Sequence, residues 1–369
     1  ASEAIVSANI VDDGTYGDAG DYGKEFLLTN DAGSGPYTVD NFELSSQLDM
    51  VKYDDWWGEF VENAADEVSF IATTETATIR TLMADQELEI TDQWQSKDAL
   101  EALAGMKGIT VGTLPTFTQF YYMVNTAIAP TDDVHCRRAM AYGFDYGQAL
   151  GLEWPGTQLS SGPVPASLGG HFGDVTTYQY DPEKAAEELA QCAYADDLAN
   201  YPIEIHWISE VPDEEKFALL FQANMAALGI TVDVVSTPWL SVVENAAAQE
   251  TSPHLVTIYV SSDLPEAGSM LKLRYHSDTA PTWSQNEWLL DEELDAAIDD
   301  ALVTLDTEER FEKYAAIQEQ LSQDAVSMSI YDQIQKHAYQ DYISWPAAEE
   351  GVSALGGYQI YAAHIGINK

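Results

Sequence analysis

The most regular pattern of apolar and polar positions lies between residues 203 and 260. "IEIHWI" (203–208) alternates with a period of two, which predicts a strand with one covered face. "PDEEKFALLFQANMAALG" (212–229) changes to a helical period. Phe217, Leu220, Phe221, Met225 and Leu228 fall on one face, and Gly229 stands where a helix C-terminus favours glycine. "ITVDVV" (230–235) returns to strand, "PWLSVVENAAAQ" reads as a second helix, and "LVTIYV" (255–260) is apolar enough for a fully buried strand. Strand, helix, strand, helix, strand with short links predicts an α/β layer with parallel pairing.

The flanks carry clear start signals. In "YDPEKAAEELAQCAY", Asp181 is placed as N-cap, Pro182 at the first helical position and Glu183 in the first turn. Leu294, Ile298, Leu302 and Leu305 form one helical stripe. Thr307 is then placed to cap a helix carrying Phe311, Tyr314, Ala315, Gln318 and Leu321. Their link, "LDTEE", predicts an antiparallel helix pair. "SMSIYDQIQKHAYQDYISW" has strand composition rich in aromatics. Upstream, "TQFYYMVNTAIAPTDDVHCRRAMAYGFD" (118–145) places an aromatic strand ending at Asn125, a Pro-Thr-Asp-Asp turn, and a helix from Asp133 bearing Arg137 and Arg138.

Charge changes the picture. Against 62 Asp and Glu stand only 15 Lys and Arg, a net −47. Nucleic acid and anionic lipid both need cationic contacts, so neither is an expected partner. The acidic residues are spread along helices and turns as solvated faces, and the sharper reading is adaptation to high salt, where screening removes self-repulsion. With 369 residues, 46% of them hydrophobic, the chain has material for two or three domains. It opens "ASEAIVSANI", without an initiator Met or a basic n-region, and contains no apolar segment of membrane-spanning length. Cys136 and Cys192 are the only cysteines. One disulfide, as in an exported protein, and two buried thiols on helical patterns are both open.

Catalytic signatures are missing. None of the seven histidines pairs at zinc-ligand spacing, and there is no P-loop, GxGxxG or GxSxG. No cofactor or metal is expected. Pairs of carboxylates occur by chance among 62. The nine tryptophans and twenty tyrosines are more informative, since aromatics line sites for peptides and sugars, although most belong to cores.

Several stretches in preserved order resemble the extracellular substrate-binding proteins of ABC importers, of the peptide/nickel type (bacterial extracellular family 5). They are "GSGPYTVDNFELSSQLDMVKYDDWWG" (33–58), "MVNTAIAPTDDVHCRRAMAYGFD", "SGPVPASL", "YQYDPEKAAEELAQCAY" and "MAALGITVDVVSTPWLSVVENA". The resemblance runs from about residue 25 to the C-terminus. It implies a periplasmic-binding-protein-like α/β fold (type II, cluster C), two-lobed with hinge crossovers and with one lobe incomplete. Residues 1–122 would be the C-terminal part of lobe I, with 1–24 the tail of a missing segment. Residues 123–330 would form lobe II, and 331–369 would return to lobe I. The implied function is capture of a short peptide by hinge closure and delivery to an ABC permease, with an oligosaccharide as the alternative ligand. The implied setting is extracellular or periplasmic, for a monomer tethered through an N-terminal lipid anchor or signal beyond this chain.

The same resemblance names site residues. Tyr121, Tyr122 and Asn125 would lie on the hinge strand at the cleft floor, and Tyr331 on the strand returning through the hinge. Trp239 matches the family's ligand-flanking tryptophan, although a core residue closing the helix end is the competing reading. Tyr259 stands at another family tryptophan. Asp263 is the nearest match to the aspartate that pairs a peptide's amino terminus, with Ser262 alignable there and a loop cap before Pro265 as the alternative. Arg137 and Arg138 are read as pairing with nearby carboxylates to fix their helix. Residues 236–266 contain no basic residue, and Lys272 and Arg274 are the nearest that could meet a ligand carboxylate. The rival from another class is a secreted hydrolase working with two carboxylates.

High-salt adaptation has a direct consequence. The melting temperature should rise between low and molar salt; a flat or falling profile in scanning calorimetry would remove the idea.

Overall fold

The computed structural model describes Leu27 and residues 30–44, 46–73, 75–350 and 360–369. The chain divides into two compact units, one of residues 1–89, 339–346 and 360–369, the other of residues 90–338 and 347–359. Residues 1–24, expected to be the tail of a preceding segment, lie outside the described residues.

The smaller unit holds β1 (Tyr37–Glu43), β2 (Gln47–Lys52) and β3 (Glu67–Ile71) in an antiparallel meander. Tyr37 anchors it, its hydroxyl donating to the Ala65 carbonyl at 2.8 Å, beside Trp56, Phe60 and Tyr361.

The larger unit is built on β4 (Ile109–Val124), β5 (Gln158–Leu159), β6 (Ile203–Ile208), β7 (Val232–Thr237), β8 (Leu255–Ser261) and β9 (Ser327–Gln340). They form one sheet in the order β5-β9-β4-β8-β6-β7. β6 pairs parallel with β7 and β8, and β8 pairs antiparallel with β4. The predicted parallel α/β layer is therefore present, with helices Asp213–Ala227 and Trp239–Asn245 as its connections. β4 sits inside the sheet, and its side chains alternate between two cores. Phe120, Tyr122 and Val124 join Ile205, Phe217 and Phe221 on one face; Tyr121 and Met123 join Ile258, Met270 and Leu271 on the other.

The compact units divide elsewhere than at the expected boundaries. Positions 122/123 and 330/331 fall inside β4 and β9, whereas the compact units divide at 89/90, ahead of β4, at 338/339, near the end of β9, and at 346/347 and 359/360. Phe120–Val124 of β4 are buried without interruption, so no change of composition marks a boundary at 122/123.

Local signals mostly hold. Asp181 accepts from the Lys184 N–H at 3.1 Å, and Gly229 takes φ +79°, which glycine adopts without steric cost. Two differ. The helix Thr307–Gln323 is capped by Asp306, whose carboxylate accepts from the Glu309 N–H at 3.0 Å, with Thr307 already helical. The preceding helix ends at Val303, so its buried stripe is Leu294, Ile298 and Ala301, while Leu305 is 95% exposed.

Cys136 and Cys192 are joined in a disulfide, with Cα atoms 5.0 Å apart and a sequence separation of 56. It ties helix Val134–Gly143 to the turn after helix Pro182–Leu189, where His135 Nδ1 also meets Glu188 at 2.7 Å. Closing a loop of that length in the unfolded chain is worth about 4 kcal/mol. Reduction, or the Cys136→Ala/Cys192→Ala pair, should therefore lower the melting temperature by several degrees without changing the far-ultraviolet circular dichroism. An unchanged melting temperature would show that the bridge adds nothing.

Candidate functional site

Three parallel strands end together. The carboxyl ends of β6, β7 and β8 are Ile208, Thr237 and Ser261, and open α/β sheets bind ligands outside such ends. Two helices start at this edge, and their first N–H groups need acceptors. Glu210 supplies one, both carboxylate oxygens accepting from the Trp239 N–H at 3.2 and 3.1 Å. The half-buried Trp239 ring lies edge-on against Trp283, with centroids 5.1 Å apart. Two residues past β8, Asp263 is exposed, and its carboxylate has no partner among the described residues. Ser262 is turned inward instead, its hydroxyl donating to the Leu264 carbonyl at 2.7 Å. The loop geometry thus leaves Asp263, and not Ser262, facing outward, and it does not cap the turn.

Tyr259 and Tyr331 are brought together. Their hydroxyls are hydrogen-bonded to each other, and Tyr331 also donates to Glu153 Oε1 at 2.8 Å. Lys336 Nζ meets Glu153 Oε2 at 2.5 Å, with both residues buried. Trp94 packs against Tyr259 at 5.0 Å, and Phe120 lies 4.7 Å from Tyr259 and 5.0 Å from Tyr331. Burial, reinforced by Glu153, holds both phenols well above their ordinary range, so they remain hydrogen-bond donors at any working pH. The buried ion pair is supported by further hydrogen bonds to the carboxylate, from the Tyr331 hydroxyl and from the Trp154 N–H at 3.3 Å.

The other expected site residues are placed differently. Tyr121 and Tyr122 have no exposure and leave no surface to a ligand. Arg274 stacks on the Tyr121 ring, 3.4 Å from its centroid, and the Tyr122 hydroxyl donates to the Phe217 carbonyl at 3.0 Å. Asn125, 1% exposed, ends β4: its N–H donates to the His254 carbonyl at 2.9 Å, and its Oδ1 accepts from the Ala127 N–H at 3.0 Å. The strand is interior because neighbours on both sides and helices on both faces enclose it. Arg137 fixes its helix through main-chain oxygens and not carboxylates, donating to Asp324 at 3.0 and 2.8 Å and to Thr131 at 2.9 Å. Arg138 similarly reaches the Gln323 carbonyl at 2.8 Å. Arg274 is buried and Lys272 is paired with Asp278 and Asp299, so neither offers a free cation.

Glu153, Lys336 and Trp94 were not singled out from sequence, nor was Glu214 at the start of helix Asp213–Ala227. Glu214 Oε2 accepts from the Ile208 N–H and from Thr257 Oγ1, each at 2.8 Å, while Oε1 is buried without a partner. Nothing in one sequence separates these carboxylates from the other sixty.

The model of the bacterial extracellular solute-binding proteins, family 5 Middle, matches residues 5–282. The chain belongs to that family. The dipeptide-binding protein of Escherichia coli is 24% identical over 220 residues, 58% of this chain and 40% of that protein. Across the first curated relatives the chain spans between 39% and 59% of their length. An ABC transporter-associated periplasmic binding protein from Helicobacter pylori, solved with the peptide STSA, superposes with TM-score 0.79 at 17% identity, covering 91% of this chain and 63% of that one. A dipeptide-binding protein from Pseudoalteromonas, solved with Met-Leu, gives 0.76 at 19%, covering 90% and 64%. The fold is that of periplasmic binding proteins of the peptide-binding type. These relatives are binding proteins. Among the described residues no helix is long and apolar enough to cross a membrane.

Burial pushes the Glu214 carboxyl up to about 8, against its two hydrogen bonds. Its folded pKa exceeds the unfolded value, so the stability it contributes is complete below about pH 4.5 and is lost as the pH climbs through about 8. Glu214→Gln stays neutral throughout. In denaturant titrations the parent should lose stability relative to Glu214→Gln between pH 5 and 8; parallel curves across that range would mean an ordinary carboxylate.

Proposed function

We propose that the chain is the ligand-capturing part of an extracellular or periplasmic solute-binding receptor of an ABC importer, taking a short peptide and passing it to the permease without breaking a bond. Family membership and the peptide-binding relatives support the class. The observation that carries the ligand reading is Asp263, an exposed carboxylate without a partner, beyond the carboxyl end of β8 and on the same sheet edge as Trp239. A carboxylate is the natural partner of a peptide ammonium, since the hydrogen bond is charge-assisted and strengthens as the ligand excludes water. Trp239 and Tyr259, the first half-buried against Trp283 and the second fixed by Tyr331 and Trp94, offer aromatic surface to side chains of varied shape. The absence of a free cation among the residues just after β8 puts the specificity at the amino end of the ligand.

Titration calorimetry with Met-Leu and related dipeptides tests this reading. Asp263→Asn should weaken binding at least tenfold, about 1.4 kcal/mol, and N-acetylation of the peptide should cost the parent as much. Mass spectrometry of the mixture should show intact peptide. Equal affinity of parent and Asp263→Asn would remove Asp263 from the site, and released amino acids would replace the receptor with a hydrolase.

A further inference from the structure

A cavity of about 210 Å³ opens in the larger unit at the β5–β9 edge of its sheet. Its origin is topological. β5 pairs with β9 only at Tyr331 and Asp332, after which the chain departs through Ser160, whose N–H donates to the Ile330 carbonyl at 3.1 Å. The first residues of β9, Ser327 to Ser329, are left beside a gap that Gly162, Pro163 and the irregular segment Thr176–Tyr180 enclose. None of Trp239, Tyr259, Asp263 or Tyr331 lines it.

Two features of the walls define what fits. The first is charge. In a chain with 21% charged residues, none of the sixteen that line this cavity is charged. The second is the direction of the hydroxyl protons. Ser160 Oγ donates inward to Asp332 at 2.7 Å and accepts from Gln119 at 3.1 Å. Ser329 Oγ donates to Gln119 Oε1 at 3.2 Å. With those protons committed, both oxygens have only lone pairs left for a guest. Tyr146 also lines the cavity; it is 8% exposed and its ring is held edge-on against Phe144 at 5.0 Å. Its hydroxyl has no partner among the described residues, so it is left to water or a guest.

We propose that this cavity is a second binding site, independent of the peptide site, for a small uncharged polyhydroxyl molecule of polyol or monosaccharide size. Two committed serine oxygens that can only accept, beside a Tyr146 hydroxyl that can donate, suit a guest whose hydroxyls do both. A carboxylate or phosphate would meet the two committed serine oxygens, and an ammonium the Tyr146 O–H, and the lining itself holds no charged group to offset either mismatch. An apolar guest would strip water from the serine oxygens without replacing its hydrogen bonds. The tyrosine rings supply faces for the C–H groups of such a guest. The size agrees, since a cavity of about 150 Å³ accommodates a six-carbon ring.

Titration calorimetry of the whole chain with xylitol and glucose, against gluconate and glucosamine as charged counterparts, tests the site. At least one neutral probe should bind saturably, and neither charged one should. Tyr146→Phe, which removes a single oxygen, and Ser329→Ala should each weaken that binding about fivefold or more, with circular dichroism confirming the fold. Asp263→Asn should leave it unchanged, which separates this site from peptide capture. The proposal is overturned if neither neutral probe binds, if gluconate or glucosamine binds as well, if both pocket variants bind like the parent, or if Asp263→Asn abolishes the polyol signal.

Discussion

A guanidinium with no solvent exposure holds the larger unit together. Arg274 lies against the ring of Tyr121, donates to Gln119 Oε1 at 2.9 Å and to the Pro163 carbonyl at 2.7 Å, and reaches Ser327 Oγ at 3.4 Å. Removing a guanidinium from water costs several kcal/mol unless its surroundings replace the lost contacts. The carboxylate buried beside it does not supply that replacement. Burial pushes Glu287 up to about 8 despite the pull of Arg274, and both its oxygens are without a hydrogen-bond partner. The cation is held instead by a π face and neutral oxygens from β4, β9 and the segment after β5. Those three segments must be in register at once for any of this to work.

Consequences of that arrangement reach two places on the surface. Gln119, holding Arg274 through Oε1, also receives Ser329 and donates to Ser160, so one buried amide sets the hydroxyls of the cavity at the sheet edge. On the other side, packing Tyr121 against Arg274 keeps β4 central, and its neighbour β8 then delivers Asp263 past the carboxyl end of the parallel strands. The acidic charge of the chain is mostly solvated surface; Asp263 differs in where the strand order puts it.

Legibility of the candidate site followed the type of contact. Trp239, Tyr259 and Asp263 sit next to strand ends that periodicity locates, so motif and position agreed and could be carried to the edge of the sheet. Tyr121, Tyr122 and Asn125 belong to an equally recognisable segment, yet they are interior, because an aromatic strand at a surface and one inside a sheet have the same composition. Trp94, Glu153 and Lys336 join Tyr259 and Tyr331 from distant points of the sequence, Glu153 and Lys336 alone being 183 residues apart. No local pattern encodes such a meeting.

Taken alone, the chain determined what short-range physics governs: a period of two or 3.6, an aspartate before a helix, a glycine at a left-handed position, and through them the parallel β6–β7–β8 layer and its helices. Only the tertiary structure decided whether the two cysteines form a bridge or stay as thiols, which of 62 carboxylates were buried or left free, and where one compact unit gave way to the other. The reason is that burial and pairing are properties of a neighbourhood. Residues distant in sequence build it, and the side chain itself carries no record of them.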